Sequence, residues 1–266
     1  MTLHSETAHV IENIHLYGLT HLMWLEVSDL YESASPGQFL MITCGDAEGS
    51  FPEPSLGRAM SIFGIRADGG TQQIGILYDV VGRGTRWMSQ QEENAEVRIL
   101  GPLGKGFAPN LNLRNMLLIG GGIGIAPMIW LADYLVDRDL GVTLVHGAGD
   151  ADKIFPISLL PSDVEFVAVT EDGSMGEKGL VTAPFERLLD WSDQSFACGP
   201  DPMLQALNDV RKQHLVDKEL QVLMEARMAC GFGVCYSCAV FPRNGKKGVE
   251  LICTDGPMFD SSHVFG

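Results

Sequence analysis

Four cysteines near the C-terminus place the strongest constraint on how this chain can fold. Cys230, Cys235 and Cys238 fall within nine residues, and Cys253 follows after fourteen more. The residues between the last two are two short apolar runs on either side of an Asn-Gly turn signal at Asn244, which predicts a hairpin. Because a hairpin runs out and back, it returns the last cysteine beside the third. The four sulfurs are therefore expected to converge.

The order C-x4-C-x2-C with a distant fourth cysteine is the spacing that holds 2Fe–2S clusters in plant-type ferredoxins. Gly231 and Gly233 suit such a loop, because glycine lets the backbone bend sharply and approach inorganic sulfur without a Cβ clash. Two alternatives stay open. A structural zinc site more often shows two C-x2-C pairs, and disulfides are disfavoured in a reducing compartment. The pattern favours the iron–sulfur cluster.

Length and composition indicate a globular protein with more than one domain. The 266 residues are 45% hydrophobic, and the apolar runs stay well short of the roughly 20 residues that cross a bilayer. The N-terminus lacks the basic and apolar regions of a signal peptide, so a cytoplasmic protein without a membrane segment is expected. A net charge of −16 argues against a nucleic-acid partner, because phosphate binding needs clustered Lys and Arg.

The first hundred residues consist of short apolar segments separated by glycine, proline and acidic residues, with little sign of helix. Six antiparallel strands of this kind predict a small β-barrel or sandwich. Cys44, at the end of one strand, is expected to be a buried or edge thiol without a role. The predicted strands cover residues 10–16, 22–27, 38–43, 59–65, 73–81 and 96–100.

Two segments of this barrel carry groups that suit a phosphate or an aromatic ring. Arg58-Ala-Met-Ser61 opens a strand; an Arg can clasp a pyrophosphate, and a Ser hydroxyl can bond a ring nitrogen. Gly84 and Thr85 lead into a helical turn at 85–91, whose first amides can face an anion. Taken alone, each segment is explained more simply as a strand end or a helix cap.

From Asn115 onwards the pattern changes to buried strands that alternate with helices. A continuous apolar run to Gly120 is typical of a parallel strand covered on both faces. The alternation predicts a doubly wound α/β sheet. Further strands are predicted at 142–147, 164–170, 195–198 and 220–224, with helices that end near 136 and that cover 181–189 and 202–214.

The turn after the first of these strands is a candidate nucleotide site. Gly120-Gly-Gly-Ile-Gly124-Ile-Ala-Pro127 departs from G-x-G-x-x-G, yet a long glycine turn before a helix with an early proline can present amides to a phosphate. The strand ends at 170–174 and 198–200 share this edge of the sheet, where open α/β sheets bind ligands. Three tight turns without a ligand are the alternative.

Two carboxylates follow the strand predicted at 142–147. Asp150 and Asp152 in that region would repel the 2′-phosphate of NADP, and this favours NAD. Lys153 lies beside them and weakens the argument, because a cation there would attract the same phosphate.

The order of these motifs resembles the ferredoxin reductase-like flavoprotein superfamily. The shared motifs are Arg58-x-x-Ser61, Gly84-Thr85, Gly101-Pro-Leu-Gly-Lys-Gly-Phe107, Gly120-Gly-Gly-x-Gly-x-Ala-Pro127 and Cys198-Gly-Pro200. The C-terminal segment, Glu225-Ala-Arg-Met-Ala-Cys230 with the later cysteines and Cys253-x-Asp255-Gly-Pro257, extends the resemblance over nearly the whole chain to the electron-transfer subunits of dihydroorotate dehydrogenase B.

This resemblance implies an α+β multidomain protein with three units. They are an FAD-binding antiparallel β-barrel over 1–101, an NAD-binding α/β parallel-sheet domain over 102–224 and a small 2Fe–2S module over 225–266.

The resemblance also implies which residues contact each group, with Arg58 at the FAD pyrophosphate and Ser61 near the flavin ring. NAD would place its phosphates near Gly121, Gly122 and Gly124 and its nicotinamide near Cys198 and Gly199, although no residue is assigned a catalytic role with certainty. The cluster ligands would be Cys230, Cys235, Cys238 and Cys253. The remaining FAD contacts would be Ala59, Met60, Leu77, Tyr78, Asp79, Gly84 and Thr85.

Two positions depart from the family pattern. Relatives usually carry Arg-Pro-x-Ser, and Ala59 in place of the proline costs some rigidity, since Pro fixes φ. Relatives often have Arg after the strand Tyr, where this chain has Asp79. Asp79 is therefore expected to contribute its backbone, with Arg83 or Arg86 supplying positive charge.

The implied activity is electron transfer within a larger oxidoreductase of pyrimidine biosynthesis. A partner chain would oxidise dihydroorotate on FMN, and electrons would pass through the cluster to FAD and leave as a hydride to NAD⁺. A heterotetramer of two chains of each kind is expected. The alternatives are a reductase or diaphorase subunit of another complex, and a non-catalytic nucleotide-binding regulator with structural zinc. Residues 225–266 are too few for a complete ferredoxin domain, which favours a subunit.

Overall fold

The computed structural model describes residues 3–45, 56–214, 218–243 and 248–266, which form two seven-stranded sheets and one short hairpin. The predicted turn at Asn244-Gly245 lies outside these ranges. Within the described residues, none of the helices is long and apolar enough to span a membrane.

The N-terminal sheet is antiparallel throughout, with the strand order β4-β3-β7-β1-β2-β6-β5. Its inner face is a dry core that includes Val10, Met23, Ile76 and the fully buried Cys44. The elements are β1 (Ser5–Tyr17), β2 (Thr20–Val27), β3 (Phe39–Ile42), β4 (Arg58–Ser61), β5 (Gly64–Asp68), β6 (Thr71–Asp79), helix α1 (Arg83–Ser89) and β7 (Glu96–Leu103).

The sheet curls into a barrel because its two edge strands, β4 and β5, are consecutive in the chain. Ile62 and Phe63 join them. The Ile62 amide donates to the Gln38 carbonyl beside β3 at 3.0 Å, and the Phe63 amide donates to the Gly75 carbonyl of β6 at 2.8 Å. The prediction of one strand over 59–65 is wrong, since these two residues carry the chain from one edge to the other. The predicted barrel is confirmed, with seven strands instead of six.

The second sheet has the order β11-β10-β9-β8-β12-β13-β16, and it confirms the predicted α/β parallel sheet. Helices cover the sheet, so its central strands are buried on both faces. The strands of this part of the chain are β8 (Asn115–Gly121), β9 (Gly141–Ala148), β10 (Val164–Thr170), β11 (Glu177–Lys178), β12 (Gln194–Cys198), β13 (Leu220–Leu223), the hairpin strands β14 (Ala239–Val240) and β15 (Glu250–Leu251), and β16 (Met258–Asp260). The helices are α2 (Ile125–Val136), α3 (Thr182–Leu188), α4 (Asp201–Gln213) and α5 (Ser261–Phe265).

The C-terminal residues add a strand to the α/β sheet. The sequence predicted that residues 220–224 end the series of strands, and this is wrong, because β16 pairs antiparallel with β13. The Met224 amide donates to the Pro257 carbonyl at 2.9 Å at the end of this pairing. The segment after β13 is thereby tied at both ends to the same edge of the sheet.

The hairpin expected between the third and fourth cysteines is present. Ala239 pairs with Leu251 and Val240 with Glu250, and the Ile252 amide donates to the Cys238 carbonyl at 3.1 Å. Its two arms therefore place Cys253 next to Cys238, as predicted.

Aromatic side chains join the barrel to the α/β sheet. Phe155, which follows β9, packs edge-on against Tyr17 at 6.1 Å between ring centroids and also contacts Phe63 of the barrel. Phe107, in the link between the two sheets, packs edge-on against Phe196 of β12 at 5.6 Å. These contacts bring the carboxyl ends of β8 and β12 towards the outer face of β4 and β6.

Candidate functional site

A cavity of about 280 Å³ lies where the barrel, the glycine turn after β8 and the C-terminal segment meet. Seven of the nine barrel residues predicted to contact FAD line this one cavity. They come from two strands and a helix that are separated in sequence: Ala59, Met60 and Ser61 of β4, Leu77, Tyr78 and Asp79 of β6, and Thr85 of α1.

The other two predicted residues, Arg58 and Gly84, lie against each other. A Cβ atom on Gly84 would sit 2.4 Å from Nε of Arg58, so the guanidinium occupies the space that a side chain would fill. Nη1 of Arg58 donates to the carbonyl of Leu56 at 2.6 Å. The glycine thus lets a guanidinium pack on the first turn of α1, and a cation beside the start of a helix suits a phosphate group.

Several polar side chains around this cavity are already engaged within the protein. Asp79 Oδ1 accepts a hydrogen bond from Thr20 Oγ1 at 2.6 Å. Tyr78 donates its hydroxyl to Asn13 Oδ1 at 3.0 Å, and burial raises the pKa of this phenol. Thr85 Oγ1 accepts from the amide of Val81 at 3.0 Å. These groups hold the frame of the cavity, which leaves backbone groups and Ser61 to face a ligand.

The opposite wall brings together one predicted residue and one that the sequence did not reveal. Glu225 lines the cavity, and its Oε1 lies 4.0 Å from Sγ of Cys198 at the end of β12. Burial by the surrounding protein, with a smaller contribution from Asp201, raises the pKa of Glu225, and burial also raises the pKa of Cys198. The glutamate opens the Glu-Ala-Arg-Met-Ala-Cys motif, and that position is the signal that could have marked it.

A second cavity of about 430 Å³ opens at the carboxyl ends of β8, β9, β10 and β12. Of the five predicted NAD residues, Gly121 and Gly122 line it. A Cβ on Gly121 would lie 2.4 Å from Sδ of Met203, so glycine gives room for that side chain, and Gly122 has a φ of +53°, a conformation that favours glycine.

The other three predicted NAD residues lie just behind the glycine turn. A Cβ on Gly124 would come within 2.3 Å of the Cys198 carbonyl oxygen, so glycine lets α2 start directly against the end of β12. Gly199 follows with a φ of +156°. Gly124, Cys198 and Gly199 therefore form the partition between the two cavities.

The carboxylates that the sequence placed near the nucleotide follow the lining residue Gly149 but are not themselves in the wall of the second cavity. Asp150 Oδ2 forms an ion pair with Lys153 Nζ at 2.7 Å, and neither Asp150 nor Asp152 lines the second cavity. The acidic residue that does line the cavity is Glu171, the first residue after β10. The carboxylate in the cavity wall therefore follows β10, whereas the sequence-based argument for NAD used carboxylates that follow β9.

The four C-terminal cysteines meet as two neighbouring pairs. Sγ of Cys238 lies 3.3 Å from Sγ of Cys253, and both are buried. Cys230 hydrogen-bonds Cys235, which is exposed. The pKa of Cys235 is lowered to about 6, mainly by a hydrogen bond with the hydroxyl of Ser237 and further by Cys230. All four are free thiols.

The backbone of the cysteine loop shows the sharp bends predicted for it. Gly231 and Gly233 have φ of +81° and +89°, and a Cβ on Gly231 would lie 2.4 Å from Cγ of Met41 in the barrel. Gly233 also hydrogen-bonds Cys253 through its backbone. The loop therefore wraps the thiols while it lies against β3.

Two pairs of thiols suit a binuclear cluster, in which each iron takes two cysteines. The donor set therefore fits 2Fe–2S.

Similarity to known protein families and to curated relatives agrees with this geometry. The model of the iron-sulfur cluster binding domain of dihydroorotate dehydrogenase B matches residues 225–265. The dihydroorotate dehydrogenase B (NAD(+)) electron transfer subunit of Desulforamulus reducens is 34% identical over 249 residues, 92% of each chain. The chain belongs to the family of dihydroorotate dehydrogenase B electron transfer subunits. The same subunit of Fusobacterium nucleatum is 34% identical and covers 97% of this chain and 98% of its own.

Solved structures show that this family member has the ferredoxin reductase-like fold. An NADH-dependent reduced ferredoxin-NADP oxidoreductase superposes with a TM-score of 0.82 at 24% identity, over 97% of this chain and 89% of that chain. A ferredoxin NADP⁺ reductase from Neisseria gonorrhoeae, solved with bound FAD and NADP, gives a TM-score of 0.61 at 16% identity over 79% and 91%. The predicted family and fold are confirmed.

Proposed function

We propose that this chain is the electron-transfer subunit of an NAD-dependent dihydroorotate dehydrogenase, which takes electrons from a catalytic partner subunit and delivers them to NAD⁺ for pyrimidine biosynthesis. One observation carries the proposal. The 280 Å³ cavity is lined by Ala226 and Met228, which lie four and two residues before Cys230. It is also lined by Ile123 of the glycine turn. It therefore lies between the thiol pairs and the nucleotide cavity.

The three sites match three carriers: a 2Fe–2S cluster on the thiols, FAD in the 280 Å³ cavity and NAD⁺ in the 430 Å³ cavity. When bound, the cluster passes single electrons, the flavin handles one or two, and the nicotinamide takes a hydride. The protein supplies separation and orientation. We propose that residues 1–101 bind FAD, residues 102–224 bind NAD⁺ and residues 225–266 bind the cluster.

Within the proposed flavin site, Arg58 of β4, whose guanidinium packs on the first turn of α1, would bind the pyrophosphate. Ser61 would face the flavin ring. Asp79 would contribute backbone, because its carboxylate is engaged with Thr20. Cys198 and Glu225 sit at the partition, where a nicotinamide would meet the flavin. The raised pKa values of both keep more of each group protonated, which avoids negative charge beside the reacting ring.

The proposed docking surface for the partner surrounds the thiol loop. Phe232, Val234 and Tyr236 are apolar or aromatic yet 36%, 71% and 58% exposed, and exposed Cys235 lies among them. Such a patch indicates a covered surface in the assembly. We propose that it is covered by an FMN-containing catalytic subunit, which would bring that FMN close to the cluster, and that two chains of each kind assemble.

Anaerobic purification tests the proposal directly. Flavin absorption bands together with broad iron–sulfur absorption are expected, and NADH should bleach the flavin bands. A colourless protein that contains zinc would refute the assignment of the flavin and of the iron–sulfur cluster.

A further inference from the structure

Glu171 stands alone in the wall of the nucleotide cavity. Among the residues that the structure describes along this wall it is the one charged side chain, and its neighbours are glycine, alanine, proline and other uncharged residues. The Glu171 amide donates to the Ala148 carbonyl at 3.1 Å. This bond anchors the start of the loop after β10 against the end of β9, with Glu171 at the rim.

The carboxylate of Glu171 is also uncommitted, unlike the acidic groups near it. Asp150 is paired with Lys153 at 2.7 Å, and Asp172 Oδ1 accepts from both the amide and the hydroxyl of Ser174, at 2.9 and 2.6 Å. Within the described residues, the carboxylate of Glu171 has neither a hydrogen-bond partner nor an ion-pair partner. It is an exposed acceptor that remains available to a ligand.

The two ends of the cavity carry complementary chemistry. At one end Gly121 and Gly122 present the backbone of the turn before α2, which suits phosphates. At the other end Glu171 can accept hydrogen bonds from vicinal ribose hydroxyls, as an acidic residue does in dinucleotide sites. A 2′-phosphate would bring up to two negative charges against this carboxylate. The described residues of the cavity wall include no cationic side chain to offset them, and the ammonium of Lys153, near the lining residue Gly149, is paired with Asp150.

We infer that Glu171 is the residue that selects the 2′-hydroxyl nucleotide, NAD(H), against its 2′-phosphorylated counterpart. This inference rests on the proposed nucleotide site and adds its specificity. It places selection after β10, where the sequence had placed it at Asp150 and Asp152 after β9.

The test measures binding of ADP-ribose and of 2′-phospho-ADP-ribose to the FAD-loaded chain by calorimetry, which requires no turnover. The wild type is expected to bind ADP-ribose more tightly by on the order of tenfold or more, as a carboxylate a few ångströms from a phosphate predicts. Glu171→Gln should reduce this ratio about tenfold, and Glu171→Arg should invert it, because an Arg fork pairs with a phosphate.

Asp163→Asn is the matched control. It removes the same charge from the opposite end of β10, eight residues and roughly 26 Å away at about 3.3 Å per residue, and Asn tolerates the φ of +70° found there. This variant should keep the wild-type ratio. If Glu171→Gln and Glu171→Arg bind both nucleotides in the wild-type ratio, the inference is overturned while the nucleotide site stands. If the wild type binds neither nucleotide, the site and the proposed function fall together.

Discussion

His146 Nε2 lies 3.0 Å from the carbonyl oxygen of Gly122, and Nδ1 of the same ring accepts from the Phe155 amide at 3.2 Å. The ring is fully buried in β9. Since Nδ1 accepts, Nε2 carries the proton and donates. One neutral imidazole therefore links the glycine turn of the nucleotide cavity to Phe155, the residue that packs on the barrel.

Replacing His146 should loosen the glycine turn. His146→Leu leaves the buried Phe155 amide without a partner, at about 1–3 kcal/mol, and removes the donor that holds the Gly122 carbonyl of the exposed glycine turn. The apparent KM for NADH should rise on the order of tenfold, with FAD content unchanged. His146→Gln, whose amide nitrogen can reach Gly122, should recover NADH binding better than His146→Asn, which can serve only Phe155. Equal KM values for all three variants and the wild type would contradict this role.

The same residue predicts a pH dependence of stability. Burial lowers the pKa of His146 from 6.5 to about 4, so the folded state resists a proton that the unfolded chain accepts. Its contribution to the free energy of unfolding is complete above pH 6.5 and is lost as the pH falls towards 4, at up to about 1.4 kcal/mol per pH unit. Denaturant melts should show that the difference in free energy of unfolding between the wild type and His146→Gln is largest above pH 6.5. This difference should shrink as the pH falls from 6.5 towards 4. Parallel curves would contradict the prediction.

The parts of the fold that were predicted correctly depend on local constraints. The cysteine loop follows from the spacing of its cysteines and from its glycines, and the buried strand β8 follows from the continuous apolar run that ends at Gly120. The break between β4 and β5 was missed because Ile62 and Phe63 are as apolar as their neighbours. The apolar pattern therefore continues through the two residues that carry the chain from one edge of the sheet to the other. Strand β16 was missed because Met258–Asp260 become a strand only by pairing with β13, far away in sequence.

The residues of the candidate site also divide into those that a local motif predicts and those that depend on tertiary contacts. Residues within one motif, such as Arg58 and Ser61, could be proposed from the sequence alone. Glu225 and Glu171 acquire their meaning from tertiary neighbours, Cys198 in one case and the glycine turn across the cavity in the other. Glu171, and not Asp150, lines the second cavity, and this depends on how the loops after β9 and β10 fold, which the order of residues does not give.

Gly84→Ala should weaken FAD binding while the protein stays folded. The new methyl group would lie 2.4 Å from Nε of Arg58 and would push the guanidinium off the helix, while alanine itself favours the helix. The dissociation constant for FAD, measured by flavin fluorescence, should rise about tenfold, the loss expected for one charge-assisted contact. Gly82→Ala is the control, because its Cβ would meet nothing within 4 Å and its φ is extended. Equal affinities for both variants would rule out Arg58 as an FAD ligand.

Cys235→Ser should separate the two halves of the electron path. A serine in place of an exposed thiol leaves one pair incomplete without disturbing the buried pair, Cys238 and Cys253. Iron content and broad iron–sulfur absorption should fall, and electron flow from dihydroorotate to NAD⁺ should be abolished. FAD content and bleaching of the flavin by NADH should match the wild type. Full turnover with dihydroorotate in this variant would exclude the thiol loop from the path.

Val234→Glu should weaken association with the catalytic subunit. Val234 is 71% exposed beside Cys235, so a carboxylate there is harmless in the free chain but would be buried without a partner in the assembly. The dissociation constant of the complex, measured by analytical ultracentrifugation with purified catalytic subunit, should rise at least about tenfold. Cluster content and NADH-dependent bleaching should be unchanged.

Leu19→Glu is the matched control for this change. Leu19 is 60% exposed at the turn between β1 and β2, on the barrel, and it lies outside the proposed docking surface. The same substitution there should leave the complex intact. A Val234→Glu protein that associates as tightly as Leu19→Glu would place the catalytic subunit elsewhere. The surface around Phe232 and Tyr236 would then need a different occupant.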